Sequence, residues 1–137
     1  MNFVEDLPSQ RYEQQLRAHP DGIPGVRRAV TALLTLWGRE AITDTVNLCV
    51  TELLANVGAH ASSPECVLTL HNHPDRLRAS VRDTEPALPV VKQPDFLAEN
   101  GRGMYLVSES VDKWGADPVP TGGKEVWFEL RTGGASS

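Results

Sequence analysis

A carboxylate and an amide lie four residues apart in the middle of the chain, at Glu52 and Asn56. Four residues make about one helical turn, so on a helix both side chains project from the same face. The amide oxygen can ligate a hard cation such as Mg²⁺, and the carboxylate can take a proton from an attacking hydroxyl or water. The pair therefore suits nucleotide chemistry, although a solvated polar flank, which most helices have, would look the same.

An acidic side chain ends a predicted strand on its inward face. Residues 76–83 alternate between polar and apolar side chains, and Asp83 has the same parity as Leu77 and Val81. An ionised carboxylate turned towards a core is costly unless donors surround it. Asp83 could accept from amides of the following turn, or from the exocyclic amine of an adenine base in a pocket at the strand end.

Two glycines flank an arginine where a loop meets a predicted short helix, in the segment Gly101, Arg102, Gly103 and Met104. Without side chains at the two glycines, backbone N–H groups can approach a phosphate, and the start of the helix adds partial positive charge. Arg102 could pair with that phosphate or point to solvent. Because Gly-x-Gly is a common sequence, a plain turn is the alternative.

Two amphipathic helices are predicted in the first half of the chain. The first begins near Pro24, has an apolar stripe that ends at Trp37, and stops at Gly38. The second begins near residues 43–44, where the Thr or the Asp would be the N-cap, and its stripe runs over residues 46–61.

Glu52 and Asn56 fall on the flank of the second stripe, where the wall of a pocket beside the core would lie. Asn56 and Gly58 are both unfavourable inside a helix. A helix that contains both suggests that space and polarity are kept for a ligand.

The remaining elements are mostly strands. Strands are predicted for residues 12–18, 66–72, 76–83 and 125–131, and a short helix for residues 104–111. Residues 84–100 contain three prolines and no sustained period, and they predict a long loop. This order predicts an α+β two-layer sandwich, in which helices cover one face of a mainly antiparallel mixed sheet.

Length and composition limit the function. The chain of 137 residues is long enough for one domain with a core, and its net charge of −5 argues against nucleic-acid binding. We expect no membrane partner, since neither a membrane-spanning run nor a secretory signal is present. The two cysteines lack metal-ligand spacing and indicate buried thiols in a reducing cytoplasm. Residues 1–11 are predicted to be flexible, residues 12–131 to form the domain, and residues 132–137 to be a disordered tail.

Several common sites have no counterpart in the sequence. His71 and His73 have no acidic or cysteine residue at metal-binding spacing, so no zinc site is predicted. No serine has the strand–turn–helix surroundings of a nucleophile elbow. Lys124 lacks the neighbouring residues of a P-loop, which argues against that nucleotide-binding fold.

The order and spacing of the motifs resemble one group of proteins. ELLANVGAHA at residues 52–61 looks like the N box of the GHKL superfamily (DNA gyrase, the Hsp90 chaperone, histidine kinases and MutL), and more narrowly of the small bacterial anti-sigma factor serine/threonine kinases. VRD at residues 81–83, followed by two prolines, is similar to their adenine-binding box. GRGMYLV at residues 101–107 is similar to their glycine box, and the likeness covers about residues 12–131.

The resemblance implies a Bergerat-type ATP-binding fold whose ligands are ATP and Mg²⁺. By that likeness Asn56 would ligate Mg²⁺, Asp83 would accept from the adenine amino group, and Glu52 would be the general base that activates a Ser or Thr hydroxyl of a partner protein. Gly101, Arg102 and Gly103 would hold the phosphates beneath a lid of residues 84–100, and Met104 would also be a nucleotide-binding residue.

The resemblance also implies a cytoplasmic regulator that binds a sigma factor and phosphorylates an antagonist protein, and relatives often form homodimers. Two features depart from the pattern, because Thr84 and Glu85 replace glycines and Ala59 replaces a residue that is often basic. They motivate the alternative of a non-catalytic interaction module of the same fold with weak or no ATP use. A metabolic enzyme is a third possibility, with no nucleophile or metal cluster to support it.

Overall fold

The computed structural model describes residues 10–85 and 102–132, and for Arg102 the backbone alone. Within this part of the chain the α-helices and strands follow in the order β1 (Gln10–Arg17), α1 (Ile23–Leu36), α2 (Thr43–His60), β2 (Glu65–Asn72), β3 (Arg76–Asp83), α3 (Arg102–Ser110), β4 (Lys113–Pro118) and β5 (Lys124–Arg131). Most of the predicted flexible N-terminus, long loop and tail lie outside the described residues. None of the helices described here is long and apolar enough to cross a membrane.

The strands form one open sheet in the order β1-β2-β3-β5-β4, and each neighbouring pair is antiparallel. The predicted α+β class is confirmed. Because β3 and β5 are neighbours in the sheet but not in the sequence, the chain between them adds α3 and β4 before it returns. This return places Asp83, the last residue of β3, opposite Lys124, the first residue of β5.

The core lies between the sheet and the helices. Leu77, Ala79 and Val81 of β3 are buried, as their inward parity predicts. The buried apolar residues of the helices are Val26, Val30 and Leu34 of α1, Val46, Cys49, Val50, Leu53, Leu54 and Val57 of α2, and Met104 and Val107 of α3. Burial of each large aliphatic side chain contributes about 1.5–3 kcal/mol, so this stripe holds the helices on the sheet.

A strand that the sequence pattern did not predict, β4, is held at the sheet edge by an aromatic contact. Gly115 pairs with Trp127 of β5, and a Cβ at Gly115 would lie 2.6 Å from the indole ring. The indole N–H donates to a carboxylate oxygen of Asp117 at 3.0 Å, and the Arg78 guanidinium lies 4.2 Å from the ring centre on the same face of the sheet. The indole therefore occupies the space that the glycine leaves open.

The helix ends confirm one predicted boundary and correct another. Gly38 has φ 72°, and the N–H groups of Gly38 and Arg39 donate to the carbonyls of Thr35 and Leu34, which is the pattern expected of a C-terminal glycine cap. At α2 the expected Thr or Asp N-cap is wrong, since the capping position is Ile42 and it has no side-chain cap. A 3₁₀ turn at Glu40–Ile42 leads directly into α2, so Thr43 is already helical.

The glycine at position 58 allows α2 to pack closely against a neighbouring segment of backbone. A Cβ on Gly58 would lie 3.0 Å from the backbone oxygen of Ala18, so the missing side chain lets α2 approach the segment that follows β1. This packing accounts for the glycine without a ligand.

Arg39 links the turn between α1 and α2 to the end of the sheet where β2 turns into β3. Its guanidinium donates to Oδ1 of Asn72 at 3.0 Å and to the carbonyl oxygens of His73, Pro74 and Thr132 at 3.1–3.4 Å. Asn72, itself buried, also donates to Gln10 at 2.7 Å. One arginine thus satisfies acceptors from the β2–β3 turn and from the end of the described chain.

Candidate functional site

Glu52 and Asn56 lie on the flank of α2, beside its buried stripe. Both are half-buried, whereas His60, one turn further along the same row, is exposed. Among the described residues, neither the Glu52 carboxylate nor the Asn56 amide has a hydrogen-bond or ion-pair partner. A half-buried carboxylate and amide without protein partners are available to a ligand that enters beside the core.

The Glu52 carboxylate touches the first turn of α3. A Cβ on Gly103 would lie 2.7 Å from Oε1 of Glu52, so the carboxylate occupies the space that the glycine leaves open. The first four N–H groups of a helix have no acceptor within it, and the first turn of α3 contains three of the residues predicted to bind the nucleotide. The fold therefore brings the predicted general base and part of the predicted phosphate segment together.

Three of the predicted nucleotide-binding residues need separate comment. Gly101 lies outside the described residues, and the direction of the Arg102 side chain stays a prediction. Met104 is 4% exposed and belongs to the hydrophobic core, so its side chain packs against apolar neighbours. A nucleotide contact at Met104 would have to come from its backbone.

Asp83 is buried and is already engaged by the protein. Its Oδ1 accepts from the N–H of Glu85 at 2.8 Å, which is the turn contact that the sequence left open as an alternative. Its Oδ2 accepts from the ammonium of Lys124 at 2.8 Å, and the two side chains are 1% and 2% exposed. The inward parity of Asp83 is confirmed, and the donors that its burial requires are present.

Lys124, the ion-pair partner of Asp83, is a residue that the sequence reasoning missed. The last strand was predicted to begin at residue 125, with Val126, Phe128 and Leu130 inward. Extending that alternation back by one step places Lys124 on the same inward face, and Lys124 is 1% exposed. An inward lysine opposite an inward aspartate was the available signal, and the pairing of β3 with β5 was needed to read it.

The pKa values of the two cysteine thiols are affected by the carboxylates of Glu52 and Asp83. Burial raises the pKa of Cys49 to about 11, and the negative charge of Glu52 adds to the rise. Burial likewise raises the pKa of Cys66 to about 11, with a further contribution from Asp83. Both are buried free thiols in the described structure, as predicted.

A cavity of about 510 Å³ opens at the same end of the sheet as Asp83. It is lined by the end of β1, the start of β2, the end of β3 and the β4–β5 turn, and it includes Arg82, Thr84 and Gly122. Neither Glu52 nor Asn56 lines it. This cavity therefore does not join the two halves of the predicted site.

The comparison with known families decides the broad assignment. A family model described as histidine kinase-like ATPase domain matches residues 16–130. The chain belongs to this family. No curated protein matches the chain. Membership in the histidine kinase-like ATPase family agrees with the α+β fold and supports ATP binding.

The residues of α2 and α3 are chemically suited to the Mg²⁺ and phosphates that a histidine kinase-like ATPase domain implies. Asn56 offers a hard amide oxygen, Glu52 offers a carboxylate beside Gly103, and neither group has a protein partner among the described residues. The described part of the chain contains no cluster of three His, Cys, Asp or Glu residues that could hold a metal by itself. Asn56 would thus supply one protein ligand to an ion that also needs oxygens from phosphates and water.

Proposed function

We propose that the protein binds ATP with Mg²⁺ at this site and is a cytoplasmic regulator of the anti-sigma factor serine/threonine kinase type. Such a regulator binds a sigma factor and phosphorylates an antagonist protein. The observation that carries the proposal is the Glu52–Asn56 pair, half-buried one turn apart on α2, with the Glu52 carboxylate against Gly103 of α3. The order of the sequence motifs supports the class of partner.

Each residue would have a distinct role. Bound ATP with Mg²⁺ would supply the transferable phosphoryl group. The amide oxygen of Asn56 would ligate the ion, and a carboxylate oxygen of Glu52 would take the proton from the attacking Ser or Thr hydroxyl. Asp83 would accept from the adenine amino group with a lone pair that Glu85 and Lys124 leave unused, since a carboxylate has about four acceptor positions.

Calorimetry with ATP and Mg²⁺ tests the binding part. We expect the wild type to bind, Glu52→Ala to bind with similar affinity, and Asn56→Ala to lose the Mg²⁺-dependent part of the affinity. Asp44→Ala is a matched control, because it removes an exposed carboxylate from the first turn of the same helix. Absence of binding by the wild type at millimolar ATP would overturn the proposal.

Phosphoryl transfer tests the catalytic part. A pull-down with the wild type from the source cell would provide candidate partners, and labelled ATP would show whether one of them is phosphorylated on Ser or Thr. We expect Glu52→Ala to lower the transfer rate by at least about a hundredfold, the lower end of general-base effects. A native transfer rate in Glu52→Ala would contradict the role of Glu52.

One observation favours a second candidate function, a non-catalytic interaction module. Both carboxylate oxygens of Asp83 already accept from Glu85 and Lys124, so the base end of the site is satisfied without a nucleotide. A module of this kind would still capture a partner protein in the pull-down. It would show neither binding of ATP in the calorimeter nor labelling of the partner.

A further inference from the structure

Lys124 is an unusual residue for the inside of this fold. It is 1% exposed, and its ammonium lies 2.8 Å from Oδ2 of Asp83 across the β3–β5 pair. Burying an ammonium is costly unless a charge and hydrogen bonds compensate for it. The lysine at position 124 is therefore explained by its ion pair with Asp83 and not by the packing of its side chain alone.

The surrounding backbone fixes the direction of the pair. Gly123 has φ 92°, and a Cβ there would collide with the backbone oxygen of Asp83, so only glycine lets β5 begin this close to β3. The N–H of Glu85 holds Oδ1 of Asp83, which leaves Oδ2 turned towards Lys124. The positions of the Asp83 carboxylate and the Lys124 ammonium relative to each other are thus fixed by the backbone.

A count of donors and acceptors shows what the pair still offers. An ammonium has three N–H groups. One bonds to Asp83, and a second reaches the carbonyl oxygen of Glu85 at 3.5 Å, the limit of a hydrogen bond. Each carboxylate oxygen of Asp83 accepts one donor from the described residues and has a second lone pair. Asp83 therefore keeps unused acceptor positions, and one N–H of the Lys124 ammonium has no acceptor among the described residues.

We infer that Lys124 is a base-recognising residue, which donates to ring nitrogen N1 of adenine while Asp83 accepts from the neighbouring amino group. This inference rests on the proposed binding of ATP and assigns a second contact to the same base. The pairing edge of adenine offers a donor, the amino group, beside an acceptor, N1. Guanine offers the same two functions in reverse order, with O6 as the acceptor and N1–H as the donor, so the pair selects adenine.

The experiment replaces ring nitrogen N1 of the base with carbon and, separately, removes the Lys124 ammonium from the protein. Affinities for ATP, for 1-deaza-ATP (a carbon in place of N1) and for GTP are measured with the wild type, Lys124→Met and Lys113→Met. Lys113 is an exposed lysine at the start of β4 and is the matched control. Methionine keeps most of the volume of lysine and removes its charge.

We expect the wild type and Lys113→Met to bind ATP at least about tenfold more tightly than 1-deaza-ATP, as for the loss of a hydrogen bond to a charged group. In Lys124→Met the ratio of the two affinities should fall close to one. A lysine that only clamps the two strands would lower the melting temperature of Lys124→Met and leave that ratio at its wild-type value.

The outcomes separate this inference from the proposed function. If the wild type binds no ATP, both are overturned. If it binds ATP and 1-deaza-ATP equally, or GTP more tightly than ATP, only the role of Lys124 is overturned. This measurement uses the wild type alone and does not depend on the folding of a variant. An unchanged ratio in a folded Lys124→Met would also overturn it.

Discussion

Substituting Gly103 by alanine should separate catalysis from stability. A Cβ at this position would lie 2.7 Å from Oε1 of Glu52, whereas comparable carbon–oxygen contacts are about 3.3–3.6 Å. The carboxylate would therefore have to retreat by about 0.6–0.9 Å, the difference between those distances. Because the atom that moves is the far end of a flexible side chain, we expect Glu52 to shift and the backbone to stay.

The helix itself should tolerate the change. Gly103 does not have a positive φ, and alanine is favoured over glycine inside a helix by about 0.8–1.0 kcal/mol. The gain should be smaller in the first turn of α3, so we expect the free energy of unfolding to be unchanged or raised by up to about 1 kcal/mol. A misplacement of about 1 Å in a catalytic group can cost about a hundredfold in rate. We therefore expect phosphoryl transfer to fall by about tenfold to a hundredfold in a variant that remains folded.

The assay compares single-turnover transfer from ATP with urea unfolding of the same samples. Gly25→Ala is the matched control, since Gly25 lies in the first turn of α1 and its Cβ would meet only Nη2 of Arg28, at 3.7 Å. A transfer rate within twofold of the wild type in a stably folded Gly103→Ala would show that the position of Glu52 does not limit the reaction. Equal loss of rate in Gly25→Ala would show that the effect is not local.

Three further predictions concern stability and thiol chemistry. Gly123→Ala should lower the free energy of unfolding by about 1–3 kcal/mol more than Gly122→Ala, because both have positive φ but only Gly123 would collide with the Asp83 carbonyl; urea unfolding of the two variants measures the difference. Arg39→Met should cost about 2 kcal/mol in the same assay, since three partly buried oxygens and one exposed oxygen lose a charged donor, and a cost below about 0.5 kcal/mol would contradict this. Folding raises the pKa of Cys66 from its ordinary 9.0 to about 11, so the thiol of the unfolded chain ionises at lower pH than the thiol of the folded chain. The contribution of the protonated Cys66 thiol to the free energy of unfolding is therefore fully present below pH 9 and is lost as pH rises from 9 to 11. Asp83→Asn should lower that pKa, and a faster alkylation of Cys66 by iodoacetamide near pH 9.5 would report it, whereas an unchanged rate in a folded variant would contradict the charge effect.

The sequence predicted those elements in which local pattern and burial agree. The stripe of α2 and the alternation of β3 each follow from which side chains meet the core, and the bounds of β3 matched the observed Arg76–Asp83. The flank position of Glu52 and Asn56 could be read in the same way, because their angle to the stripe depends only on helix geometry.

What the sequence did not predict depends on contacts between distant segments. The segment of β4, KWGADP, contains Gly, Asp and Pro and does not alternate, yet it forms a strand because Gly115 accommodates Trp127 of the neighbouring strand. The sequence shows only that Lys124 is not part of a P-loop. Its burial becomes understandable from its ion pair with Asp83, which lies 41 residues away. Neither pairing can be read from a local period.

The two carboxylates of the candidate site are positioned by different physical means, and their variants should therefore behave differently. Glu52 lies against Gly103 through the end of its own side chain, so a methyl group there displaces the carboxylate and spares the fold. Asp83 lies against Gly123 through its backbone oxygen, so a methyl group there forces apart two central strands. Loss of activity in a Gly123 variant would consequently say little about base recognition, because the strands that carry Asp83 and Lys124 would have moved. The base end therefore has to be tested with altered nucleotides, in the wild type and in side-chain variants such as Lys124→Met that keep both glycines of the β4–β5 turn, whereas the phosphate end can be tested by mutation alone.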